Sequence, residues 1–142
     1  MAATDVFVQH LEAASGLPAL LAAGWESFDF IARSAPFYDD PDSGPRGFAF
    51  MLATGAACRG RNALACAPSL PDDAGTDQGL SVDSLGNETE AAATLAGLAA
   101  VLQSRLAAAR VQALSHDDSQ ACEAAVAAAA ETHTLLTGGS GS

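Results

Sequence analysis

Apolar residues recur along this chain at intervals of three and four, the spacing that lines one side of a helix, and no stretch alternates as a strand would. The pattern predicts five helices. The first, over about 5–14, carries Phe7, Leu11 and Ala14 and ends at Ser15-Gly16, where glycine can take a left-handed cap conformation. The second opens at Leu17-Pro18 and runs to about Ser34, with Leu17, Leu20, Leu21, Gly24, Trp25, Phe28 and Ile31 on its apolar face. Ser43-Gly44-Pro45 marks the entry to a third helix, over 45–59, which can continue across Gly60 to Cys66.

Asn87-Glu88-Thr89-Glu90 has the form of a capping box, and a fourth helix over about 88–114 follows it, striped by Leu95, Leu98, Leu102, Leu106, Ala109 and Ala113. Ser115-His116-Asp117-Asp118 repeats the logic of a hydroxyl cap with acids in the first turn. The fifth helix then runs to about Leu136, with Cys122, Val126, Ala129, Ala130, His133 and Leu136 on one side. The last two helices are rich in alanine and joined by a short turn, which predicts a tightly packed antiparallel hairpin. Two polar connections interrupt the pattern: PFYDDPDSGP, and an acidic segment between Pro68 and Gly86. The expected fold is an all-α, single-domain bundle over 1–137, with 138–142 as a flexible linker or tail.

Every aromatic residue lies at or before Phe50. Alanines remove little apolar area from water, so the rings are expected to supply the volume that the hairpin lacks. Not every ring fits one face. Phe30 stands two residues from Phe28, about 200° around a helix, and Phe48 and Phe50 repeat the arrangement. A second apolar face is therefore expected on helices two and three, made of Phe30 with Ala23 and of Phe50 with Ala53, Thr54 and Ala57. Either neighbouring elements of the same chain cover that face, or a partner does.

Composition narrows the chemistry. The net charge is −11, from 17 acids against 6 arginines and no lysine, a poor basis for binding nucleic acid. Cys58, Cys66 and Cys122 make an odd set without a C-x-x-C spacing, which fits a reducing compartment better than disulfides or a zinc site. MAATDVFVQH has neither a basic start nor a long apolar run, so the protein is expected to be cytoplasmic and without a membrane partner.

Catalytic and metal constellations are not visible. His116 and His133 are too far apart on one helix to share a metal, and Cys122 and His133 are too far apart to form a nucleophile and base. Cys58 beside Arg59 and Arg61 reads as a buried thiol. The aspartates at 39, 40, 42, 72, 73, 77 and 83 lack the spacing of a calcium loop. Asp29 and Arg33, four apart, suit a surface ion pair. No metal and no cofactor is implied.

The expectation is a non-enzymatic protein-interaction module that self-associates, as a homodimer, or docks another protein through Phe30, Arg33 and Phe50. The alternative is a binder of an apolar small molecule, with Trp25, Phe28, Phe48 and Met51 at the pocket wall.

Overall fold

The computed structural model describes residues 5–38, 44–71 and 85–138. These form five α-helices: α1 (Asp5–Ala13), α2 (Leu17–Ser34), α3 (Pro45–Ala65), α4 (Glu88–Val111) and α5 (His116–Leu136). A 3-10 turn, Ala35–Tyr38, follows α2, and no strand occurs among the described residues. The acidic stretches 39–43 and 72–84 and the closing residues 139–142 lie outside the described residues, as do all the aspartates weighed for calcium.

Local chemistry sets the helix ends. Asn87 Oδ1 accepts from the Glu90 amide at 2.8 Å, and the Asn87 amide donates to Glu90 Oε1 at 3.2 Å, so α4 begins with a complete capping box. Ser115 Oγ accepts from the Asp118 amide at 3.1 Å and starts α5. Gly16 turns the chain between α1 and α2 at φ +87°, a conformation that side-chain-bearing residues rarely adopt. The third helix runs across Gly60, the longer of the two lengths expected for it.

Packing centres on α3, which shares its largest interface with α5 and a further one with α2, while α4 packs along α5 and against α2 and α1. The α3–α5 interface is built from small residues. Ala53, Ala56 and Ala57 are buried on α3, and Ala121, Ala125, Ala128 and Ala129 on α5. Such faces permit close backbone approach, and the dispersion gained over many short contacts replaces the bulk of larger side chains. The leucines of α4, namely Leu95, Leu98, Leu102 and Leu106, fill the opposite side of the same core. Among the described residues α4 is the one helix long and apolar enough to cross a membrane, and 44% of its most apolar window is buried in the bundle.

The early rings fill the core differently from the expectation. Phe28 lies against Gly60, where an added Cβ would come within 2.5 Å of the ring. Phe30 is fully buried, because α1 lies over that side of α2 and its Phe7 ring approaches to 4.7 Å between centroids. Phe50 is also fully buried, with the Tyr38 ring 5.2 Å away. The second face expected from Phe30 and Phe50 is therefore internal, covered by α1 and by the 3-10 turn of the same chain. In α3 the orientation is reversed relative to the expectation: Phe50 faces the core and Phe48 faces outward.

The leading helix is held by more than apolar contact. Arg105 of α4 donates from Nε to the Leu11 carbonyl at 2.9 Å and from Nη2 to the Ala14 carbonyl at 3.1 Å. These are orphan acceptors at the end of α1, so one guanidinium caps that helix and ties it to α4.

Replacing either Phe30 or Phe50 by Asp removes a buried ring and adds a carboxylate without a partner, an expected loss above about 4 kcal/mol. Both variants should be unfolded or close to it by circular dichroism, and a cooperative wild-type melt for either would contradict the packing. Gly60→Ala should lower stability by about 1–2 kcal/mol in urea titration, since displacing the Phe28 ring outweighs the gain in helix propensity.

Candidate functional site

Helix α3 is apolar on two sides for two different reasons. At 100° per residue, Phe50, Ala53, Ala57, Gly60 and Leu64 fall on one arc, and all five are buried. Phe48, Met51, Leu52, Gly55 and Arg59 fall on the opposite arc. There Phe48, Met51 and Leu52 are 54%, 43% and 40% exposed, although they are large and apolar. Spacing of i, i+3, i+4 and i+7 on a solvent-facing helix is the pattern by which helices dock on partners. Gly55 interrupts the stripe: a Cβ built there would meet only the Arg59 Nη1 atom, at 3.6 Å, so the surface dips between Leu52 and Arg59.

Phe48 and Leu52 also form one wall of a groove of about 860 Å³, at the end of the bundle where α3 and α4 begin and α5 ends. Ala49, Ala92, Ala93 and Leu135 supply further apolar lining. The groove and the outer stripe are thus one continuous apolar surface. Its polar boundary consists of ion pairs. Arg46 Nε lies 3.5 Å from Glu88 Oε1 at the groove rim, and Arg59 pairs with Glu131 of α5 at the far end of the stripe.

Helix α3 contains three of the six arginines and no acid. Its third arginine, Arg61, meets Asp29 of α2 at 2.8 Å, and Asp29 also meets Arg33 at 3.0 Å. The Asp29–Arg33 pair forms as its spacing implied, with Arg61 as an additional partner. Each arginine of α3 therefore faces an acid on a different neighbouring helix.

The sequence-derived sets are not brought together as expected. Arg33 is exposed on the α2 surface, whereas Phe30 and Phe50 are inside the fold, so the three make no common surface. Of the alternative set, Phe28 is core and Trp25 is half-buried against it, while Phe48 and Met51 face outward. Phe48 lines the groove; Trp25, Phe28 and Met51 do not. The missed residue is Leu52. The line through positions 48, 51, 52 and 55 runs on into Arg59 and Asn62, but Arg46 stands four residues before Phe50 and Arg61 four after Ala57, so the charges on α3 do not by themselves mark which side faces water.

The most perturbed titratable group is remote from this surface. Asp118 is buried at the start of α5, and burial opposes its ionisation. Hydrogen bonds outweigh that cost and hold its carboxyl below the usual aspartate range: Ser69 Oγ donates at 2.6 Å, the Ser69 amide at 3.0 Å, with help from Ser115. Burial, with the Asp118 charge nearby, pushes the Cys122 thiol up despite Arg110, keeping it protonated and inert. Among the described residues no three His, Cys, Asp or Glu side chains gather as a metal-binding set.

The class defined by these features is an all-α bundle with an exposed helix face and an adjoining groove. Compared with known families, curated proteins and solved structures, the chain shows no significant match.

Asp118→Asn keeps the shape but places an amide where two donors from Ser69 need an acceptor, with an expected loss of about 2 kcal/mol at neutral pH. Because the folded state lowers this pKa, the contribution is complete above the unfolded value near pH 4 and disappears as pH falls through the folded value. Melting temperatures from pH 7 to pH 2 should therefore converge for wild type and variant in acid; a constant gap would refute the charged clamp.

Proposed function

We propose that this protein is a non-enzymatic interaction module that docks a protein on the outer face of α3 and the groove beside it. The observation that carries this reading is the exposure of Phe48, Met51 and Leu52 at helix-docking spacing, next to a concave apolar surface, with one ion pair at the groove rim and another at the far end of the stripe. An apolar core with a polar rim is the usual anatomy of a protein interface. The groove itself offers the chemistry of binding and little of catalysis: its charged lining is the Arg46–Glu88 pair, with no thiol or imidazole beside it. A cytoplasmic location, with neither nucleic acid nor membrane as partner, belongs to the same proposal.

One observation favours a second reading, in which an apolar small molecule occupies the groove. A volume of about 860 Å³ falls within the range typical of small-molecule sites. The residues for that reading are Phe48, Leu52 and Leu135, in place of Trp25, Phe28 and Met51.

Substituting Asp for both Phe48 and Met51 touches only exposed side chains, so the variant should melt within about 1 kcal/mol of wild type. In chemical cross-linking within the native host, it should lose the protein adducts that wild type forms. Adducts unchanged in a folded variant would count against the docking face. A melting temperature raised by an apolar small molecule, abolished by Leu52→Asp and retained by Met51→Asp, would favour the groove ligand instead.

A further inference from the structure

The leading helix differs in kind from the other four. It has 9 residues, against 18 to 24 in α2 to α5, and its buried side chains are Phe7 and Leu11. A helix this short is not stable in water by itself, so α1 keeps its form only while it is docked. Ordering its backbone costs conformational entropy, which two buried side chains offset with little to spare.

Its attachment is concentrated at two points. The Phe7 ring lies on Phe30 of α2, and Arg105 of α4 donates to the carbonyls of Leu11 and Ala14. Next comes Gly16, at φ +87°, where nothing stands within 4 Å of an added Cβ. Rotation about the N–Cα bond of Gly16 moves α1 but leaves the Gly16 carbonyl in place, so the bond it accepts from the Leu20 amide at 3.2 Å, which starts α2, is kept. The joint is uncrowded, and α2 does not depend on the helix before it for its first turn.

We propose that α1 is a strap: it lifts from α2 and α4 as a unit, turning about Gly16, while α2 to α5 stay folded. Arg105 is its latch, since the guanidinium grips the turn that follows Leu11 and must release it for the helix to leave. The open state uncovers Phe30, which is fully buried under the closed strap. Because α1 packs on α2 and α4, the strap is independent of what docks on the outer face of α3.

Hydrogen exchange on the full chain, followed amide by amide by NMR from zero to about 1 M urea, reads this opening directly. After correction for intrinsic rates, the hydrogen-bonded amides of α1 should share one opening equilibrium. They should exchange at least about tenfold faster than the buried amides of α3 and α5, and with a weaker urea dependence, because the opening exposes less surface than global unfolding. Gly60→Ala separates the two processes: it weakens α3 against α2 in the open and closed states alike, so it should quicken the α3 and α5 amides about tenfold and leave those of α1 within about twofold. Arg105→Gln removes the latch and should quicken the α1 amides about tenfold or more. The proposal is overturned if α1 exchanges in step with α3 and α5 in the wild type, if Gly60→Ala quickens all three equally, if protection in α1 falls away gradually from Leu11 toward Asp5 as in simple fraying, or if Arg105→Gln leaves α1 unchanged. Should Gly60→Ala fail to fold, the urea dependence of the wild type decides by itself.

Discussion

The close approach of α3 to its neighbours governs the rest of this structure. At Gly60 the backbone of α3 comes so near the Phe28 ring of α2 that no Cβ fits between them, and α3 and α5, which pack on each other, both bury alanines. Small residues shorten the distance between helix axes, and the resulting contacts stabilise through dispersion at close range. A helix held this closely cannot roll without losing its contacts on several sides. Its orientation is therefore fixed to within a residue, and that orientation decides which of Phe48 and Phe50 meets water.

Polar contacts reinforce the same arrangement at the bundle's periphery. Arg46, Arg59 and Arg61 leave α3 toward acids on α4, α5 and α2 respectively. Exposed pairs of this kind contribute little stability each, typically below 1 kcal/mol. Their effect is on specificity, because a rotated α3 would leave arginines opposite alanines. Two partly buried contacts contribute more per bond: Arg105 on the end of α1, and Asp118 on Ser69. Both use an ionised group whose partners are supplied from a distant part of the chain, and both hold a segment that would otherwise end in unpaired backbone or hydroxyl groups.

The functional surface follows from what this packing leaves over. The small-residue arc of α3 is used up by α5 and α2, while Phe48, Met51 and Leu52 stay exposed among the described residues. Between the starts of α3 and α4, alanines at Ala92 and Ala93 leave space that larger side chains would have filled, and the groove results. The same economy of side-chain volume that lets the helices pack closely at the middle of the bundle produces a concavity at its end.

Much of the architecture was legible in the sequence alone. Periodicity and caps gave five helices with boundaries close to those observed, because capping boxes, proline at helix entries and glycine at exits act locally and are written in adjacent residues. The rotation of α3 and the double burial of α2 were not legible in this way. Phe28 and Phe30 are two positions apart and both internal only because α1 folds back over one side of α2, a contact secured by Arg105 some 90 residues away in sequence. Phe48 and Phe50 are chemically identical, and tertiary contacts, Gly60 against the Phe28 ring and Tyr38 over Phe50, distinguish inside from outside. Local sequence determined where helices start and stop, since those energies arise between neighbours along the chain; tertiary structure decided which apolar face is surface, since that depends on what distant segments bring to cover it.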